Sequence, residues 1–275
     1  MGPLPPVITF LSDYGHLDEF VGVCHGVMAR RCPEARVIDL THEVPSHDVR
    51  AGAILLRSAL PYLPAGVHLA VVDPGVSAVG PHARRAIALR TAEQDRVLVG
   101  PDNGLLMPAV ERLAGAVEAV DIGSSPECLQ PVSRTFHGRD IFAPVAAALA
   151  AGEPLDAVGD PLPVDQIRRM GMPSAHLSDG ILTSHVLRRD TFGNLILDAD
   201  KEQLALLGVP GDTLIVNHAG VRHDAAFAAT FADVTPGELL IYEDAQQMVS
   251  LAVNRGSAAK LLRAEQDDEL VISAA

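Results

Sequence analysis

The sequence predicts two successive folds: a mainly parallel α/β sandwich domain over residues 1–160, then a smaller antiparallel β-barrel over 180–275. Three observations carry this. Continuous apolar runs alternate with helical stretches in the first part, the grammar of a sheet covered on both faces. Proline and glycine break the pattern across 161–179, which reads as a linker. Beyond it come only short strand-like runs separated by turn signals, the pattern of a small barrel.

In chain order, Val7-Ile8-Thr9-Phe10-Leu11 is a buried-strand run, followed by a polar turn and a helix from Asp18 to Arg31. Val37–Leu40 is the next strand, with a helix near Asp48 to Tyr62. His68–Val72, Ala86–Leu89 and Arg96–Val99 are strands, Asn103–Ala114 a helix, Val117–Ile122 a strand and Arg139–Ala151 an alanine-rich helix. In the second part, strands are expected at Ile181–Val186, Leu195–Leu197, Thr213–Val216, Ala226–Phe231, Glu238–Tyr242, Met248–Val253 and Glu269–Ile272.

Composition narrows the function. Of 275 residues, 48% are hydrophobic and 20% charged, enough apolar material for a sizeable core built from aliphatic side chains, since aromatics are 4% and Trp is absent. The net charge of −14 opposes binding to a phosphate backbone, so nucleic acid is not an expected partner. Cys24, Cys32 and Cys128 have no CxxC spacing and read as reduced thiols. The N-terminus lacks a basic n-region and no apolar run reaches membrane-spanning length, so a soluble cytoplasmic protein is expected.

Ligands of open α/β sheets bind outside the carboxyl ends of the strands. Asp13, Asp73 and Asp102 stand at three such ends, each followed by turn residues. Any one of them is explained as a turn or helix cap; three on one rim point to a site. Phosphate-loop, dinucleotide, HExxH and GxSxG motifs are absent. Eleven histidines raise a metal reading in which His42, His82 and His137 join the rim aspartates, but no helical i,i+4 pair supports it, and no metal is expected.

Six blocks together resemble the S-adenosylmethionine hydroxide adenosyltransferases, relatives of the 5′-fluorinase and chlorinase. They are Thr9–Gly15, Val72–Val76, Val99–Gly104, Thr135–Asp140, Asp190–Leu195 and Leu251–Ala259, in the family's order and over nearly the whole chain. The resemblance implies a homotrimer with its site between the α/β domain of one subunit and the barrel of the next. It also implies hydrolysis of S-adenosyl-L-methionine to adenosine and L-methionine, with no cofactor. The family's water-activating Asp-Arg-His group carries over to Asp73, Arg84 and His137. Asp13 takes the ribose-diol position, with Asp102 and Asn103 on the same substrate-binding rim. Asp18 and Asp190 fall near the methionine ammonium group; Phe192 and Asn194 lie beside the adenine, with Asn254 and Arg255 completing that pocket.

Two departures stand out. The segment Val76–Ala83 is longer than the family's, leaving Arg84 or Arg85 as the catalytic arginine; Arg84-Arg85-Ala86-Ile87-Ala88 resembles the family's following strand and favours Arg84. Ala245 stands where a serine is expected near the methionine carboxylate. Asp73 and His137 occupy positions typically aromatic in the halogenating relatives, which favours water over halide as nucleophile. A non-catalytic sensor of adenosine or S-adenosylmethionine is the alternative of a different class.

Overall fold

The unbroken apolar run at the N-terminus becomes β1 (Val7–Ser12), a strand buried on both faces. A computed structural model describes residues 5–77 and 83–275, which divide into a unit of residues 1–170 and a unit of residues 171–275. After β1 the first unit continues with α1 (Phe20–Arg31), β2 (Arg36–Thr41), α2 (Val49–Ala59), β3 (Val67–Val71), β4 (Ala86–Thr91), β5 (Val97–Pro101), α3 (Met107–Arg112), β6 (Ala116–Asp121), α4 (Ala143–Ala150), α5 (Leu155–Val158) and β7 (Asp160–Pro161).

The sheet order is β2-β1-β3-β5-β4-β6-β7. The first four strands run parallel and the last three join antiparallel. Successive strand residues face opposite sides, and the two cores follow that alternation. Ile8, Phe10, Leu69 and Val71 pack with α1 and α4 on one face. Leu11, Ala70 and Val72 pack with α2 and α3 on the other. Asp48 caps α2, its carboxylate accepting from Ala51 N at 2.9 Å.

Local chemistry explains where the elements differ from expectation. The helix expected from Asn103 starts only at Met107, because Asn103 and Gly104 are used in the turn after β5. The helix expected from Arg139 opens as a π-helical turn over Gly138–Phe142 before α4 begins. The stretch read as a linker is structured. β7 pairs with β6, Leu162 and Ile167 are buried in the first unit's core, and His176–Ser178 forms a strand of the second unit.

The second unit runs β8 (His176–Ser178), β9 (Ile181–Arg189), β10 (Leu195–Leu197), α6 (Lys201–Ala205), β11 (Thr213–His218), β12 (Val221–Phe227), β13 (Leu239–Glu243), β14 (Val249–Val253), α7 (Ala258–Leu262) and β15 (Glu269–Ala274). Seven strands close in the order β10-β14-β13-β12-β11-β15-β9 and back to β10, with β8 added outside β9. All pairings are antiparallel except β12 with β13. Closure leaves no bare edge within the ring. The strand expected at Ala226–Phe231 lies earlier, because Thr230 and Asp233 form a capping box that winds Phe231 into a short 3₁₀ turn.

Candidate active site

β1, β3 and β5 are neighbours and parallel, so their carboxyl ends lie side by side and bring Asp13, Asp73 and Asp102 to one rim. β4 runs the other way, with Ala86 opposite Pro101. The residues entering β4, Arg84 and Arg85, therefore reach the same rim.

The two arginines then part. Arg84 grips Asp73, its Nε 3.0 Å from each carboxylate oxygen and its Nη2 also donating to Oδ2. Nη2 lies 2.8 Å from His137 Nδ1. The Asp73 and Arg84 side chains are only 7% and 6% exposed, so this is a nearly dry ion pair whose members depend on each other. Phe142 lies under the guanidinium, 5.2 Å from its ring centroid. His137 heads the π-helical turn. Burial first, and the Arg84 charge second, push its imidazole below the ordinary pKa, so the neutral ring is favoured.

Arg85 turns to Asp102, with Nε at 2.9 Å from Oδ2 and Nη2 at 2.6 Å from the Gln166 carbonyl. Asp102 is fully buried, and its other oxygen accepts from Arg168 N at 2.7 Å. It anchors the segment after β7. Asn103 is likewise committed: Nδ2 donates to the Val72 carbonyl at 2.9 Å and Oδ1 accepts from Leu105 N. Both residues brace the turns behind Asp73, because a polar group at a buried strand end must find protein partners.

Asp13 is half-buried, with Oδ2 accepting from His47 N at 2.9 Å and Oδ1 without a hydrogen bond among the described residues. Asp18 is exposed just ahead of α1. Tyr14, which motif reading did not single out as a site residue, packs against the head of the π-helical turn. A Cβ at Gly138 would collide with its hydroxyl, so any larger residue after His137 would force Tyr14 to move. Burial, then the charges of Cys24, Asp13 and Asp73, push the Tyr14 phenol well above its usual value.

The barrel carries a pocket of about 680 Å³ lined by Asp190, Phe192, Asn194, Phe231, Tyr242 and Arg255, with Arg188, Asp244 and Ala245 among the others. Asp190 organises its loop. Oδ1 accepts from Phe192 N and Asn194 N, both at 2.9 Å, and Oδ2 accepts from Asn194 Nδ2 at 2.8 Å. Gly193 holds φ +87° against Ser257, where a side chain would strike the serine hydroxyl. Ala259 N donates to the Gly193 carbonyl at 3.0 Å, so the last two of the six sequence blocks meet here. Phe192 is 78% exposed while Asn194 is buried. Arg255, in the left-handed region, lines the pocket. The Asn254 side chain turns away, donating to the Phe231 and Val234 carbonyls and so setting the Phe231 turn.

Phe231 and Tyr242, in edge contact at 5.3 Å, were not legible as site residues. Their spacing in sequence is that of ordinary strand residues, and only barrel closure puts them together. Tyr242 is pushed up to about 12 by burial and then by Asp244 and Asp190. Among the described residues, His25, Asp39 and His42 bring donor atoms within 4.8 Å of one another and have the composition to hold a metal ion. They lie at α1 and β2 and do not touch the Asp73 trio. His82 lies outside the described residues.

Comparison with known proteins covers nearly the whole chain. The model of the SAM hydroxide adenosyltransferase N-terminal domain matches residues 8–159, and that of the C-terminal domain matches residues 184–271. The (R)-S-adenosyl-L-methionine hydrolase of Salinispora tropica is 48% identical over 269 residues, 98% of each chain. That of Thermus thermophilus is 38% identical over 93% of this chain and 94% of its own. A fluorinase from an Actinoplanes species is more distant, at 29% over 92% of this chain and 93% of its own. A conserved protein from Thermotoga maritima of solved structure superposes with a TM-score of 0.89 at 37% identity, covering 97% of this chain and 99% of the other.

Proposed function

The chain belongs to the SAM hydroxide adenosyltransferase family, and on that premise we propose that it hydrolyses S-adenosyl-L-methionine to adenosine and L-methionine. The observation that carries the reading is the contact chain Asp73–Arg84–His137 on the rim of the first unit. A halide needs neither deprotonation nor a proton acceptor, whereas water needs both, and this trio offers them. The named hydrolases that are 46–48% identical to this chain support the same reaction. Their names specify the R configuration, and the same epimer is the proposed substrate here.

The sulfonium leaves as a neutral thioether, so no acid is needed on the leaving side. The bond from water oxygen to C5′ forms as C5′–S breaks, the electron pair passing to sulfur. Arg84 has only donors, so His137 Nδ1 acts as its acceptor and the ring proton sits on Nε2. Nε2–H and the Arg84 guanidinium hold the nucleophilic oxygen and favour its hydroxide character. Asp73 is then the trio's proton acceptor. Alignment of water with C5′ supplies several kcal/mol, on the order of 7–11 at best. No cofactor enters the scheme.

The remaining roles follow. Asp13 has an oxygen free for the ribose diol, Asp18 is exposed for the ammonium group, and the barrel pocket takes adenine beside Phe192 and Asn194 with Asp190 near the amino-acid end. A homotrimer would bring the rim of one subunit to the barrel pocket of the next and cover Phe192, an aromatic too exposed to be part of a core. A cytoplasmic setting is consistent with an S-adenosylmethionine substrate. No described helix is long and apolar enough to cross a membrane.

The test incubates chelator-treated protein with each sulfonium epimer in ¹⁸O-water. Adenosine labelled at O5′ with equimolar methionine, from the R epimer first, is the expected result. Bound but intact substrate would replace the enzyme by a sensor.

A further inference from the structure

The end of β9 is irregular in a way that matters for the pocket. Arg189 and Arg188 pair with Leu195 and Ile196, but the next residue of β10, Leu197, pairs with Val186. Leu187 is therefore an extra residue, a β-bulge, and bulges re-aim the side chains beside them. Beyond it, Arg188 lies opposite Ile196, Ile196 opposite Ser250, and Ser250 opposite Tyr242. This cross-strand row over β9, β10, β14 and β13 lines the pocket. The alternate residues Leu197, Leu251 and Ile241 fill the barrel core. The bulge thus turns a basic side chain onto the pocket wall.

No hydrogen bond holds that side chain there among the described residues, and Arg188 Nε is buried. Two acids stand near, each already accepting three hydrogen bonds. Asp190 accepts from three donors of its own loop. Asp244 accepts from Gln246 N, Met248 N and Ser250 Oγ. Burial pushes the guanidinium below its ordinary value, with Asp190 and Asp244 opposing. A buried donor left unpaired is unfavourable, and the planar fork of a guanidinium is best matched by a carboxylate. Ala245, on the same wall, has no hydroxyl to offer such a group.

We propose that Arg188 is the specificity residue for the amino-acid end of the substrate, binding its α-carboxylate while Asp190 takes the adjacent ammonium. The proposal rests on the reading that the substrate is S-adenosyl-L-methionine. A carboxylate has about four acceptor sites. With three donors already on Asp190, one site remains for the ammonium group. Opposite charges two residues apart on one strand end then match the zwitterion.

The test compares S-adenosyl-L-methionine with its decarboxylated analogue in the wild type, Arg188→Met, Arg188→Lys and Arg255→Ala. Arg188→Met should raise KM for the full substrate by roughly ten- to a hundredfold with kcat little changed. KM for the analogue should be the same in wild type and variant, and Arg188→Lys should restore part of the loss. Equal losses on both substrates, no loss, or carboxylate discrimination that follows Arg255 instead would overturn the proposal. Unchanged adenosine affinity shows that the variant is folded. Should the wild type turn over neither compound, the hydrolase reading fails by itself. Calorimetric affinities of the two compounds, wild type against variant, then decide Arg188 by the same criterion.

Discussion

His137 Nδ1 lies 2.8 Å from Arg84 Nη2, and since a guanidinium can only donate, that ring nitrogen is the unprotonated one. The contact fixes the tautomer: a neutral imidazole with its proton on Nε2. Protonating Nδ1 would set two donors against each other. The same contact, after burial, is a cause of the lowered imidazole pKa.

The first prediction follows from that sign. His137 should titrate below the ordinary 6.5 in an NMR pH titration. Turnover should hold as pH falls through 6.5 and drop only below it, when the ring gains its second proton. Replacing Arg84 by a neutral residue should move the His137 titration upward. A ring titrating at or above 6.5 in the wild type would rule out the assigned tautomer.

The second separates the adjacent arginines. Arg84→Ala should lower kcat by about 10²–10³-fold, the usual loss for a donor at a developing oxyanion. Arg85→Ala should leave kcat within a few-fold while lowering the melting temperature, because buried Asp102 loses its charged partner. Steady-state kinetics below both melting transitions, with calorimetry alongside, checks the pair. Equal kinetic losses would mean that Arg85 also reaches the substrate.

The third concerns the proton. Asp73→Asn keeps shape but removes the carboxylate, and His137→Ala removes the Nε2 donor. Each should cut turnover by on the order of 10²-fold or more, with adenosine binding little affected. Strong turnover in both would remove the trio from the mechanism.

The fourth is a stability effect remote from the site. His68 is fully buried, bonded to Thr9 Oγ1 at 2.9 Å and facing Arg96 Nη1 at 3.2 Å, and burial followed by Arg96 pushes it down to about 3. Its folded pKa is below its unfolded one, so the unfolded chain binds the extra proton between them. The contribution is complete above pH 6.5 and is lost as pH falls toward 3. Urea midpoints should decline over that window, and less steeply in His68→Gln than in the wild type.

The fifth tests the barrel half. Phe192→Ala should weaken adenosine binding by about 1–3 kcal/mol, the range for losing an aromatic stacked on a base. Asn194→Ala should weaken it further, because Asn194 also holds Asp190 in place. Unchanged calorimetric affinity in both would move adenine elsewhere.

Much of this was legible from the chain alone, and the reason is physical. A strand covered on both faces must be apolar throughout, so β1, β3 and β5 announce themselves, and the acids after them mark the rim. Closed antiparallel strands alternate with turns, so the barrel is also visible. The six blocks identify the family because loop residues that shape a site are specified position by position. Turn chemistry was harder to read. The capping box at Thr230 shortened one expected strand, and the apolar anchors Leu162 and Ile167 fastened a supposed linker to the first unit.

Side-chain pairing belonged to tertiary structure. Arg84 and Arg85 are the same residue type side by side, and alternation along the chain sends one to Asp73 and the other to Asp102. Nothing in the local sequence says which acid lies on which side. Asp102 and Asp73 likewise follow equivalent strands, yet one is sealed beneath its turn while the other pairs with the arginine that reaches His137. Arg188 reaches the pocket wall only through the bulge at Leu187 and the closure of seven strands. Sequence determines which groups are available, through hydrophobic period and motif. Which of them converge depends on register, since a one-residue shift in a strand reverses the face of every side chain beyond it.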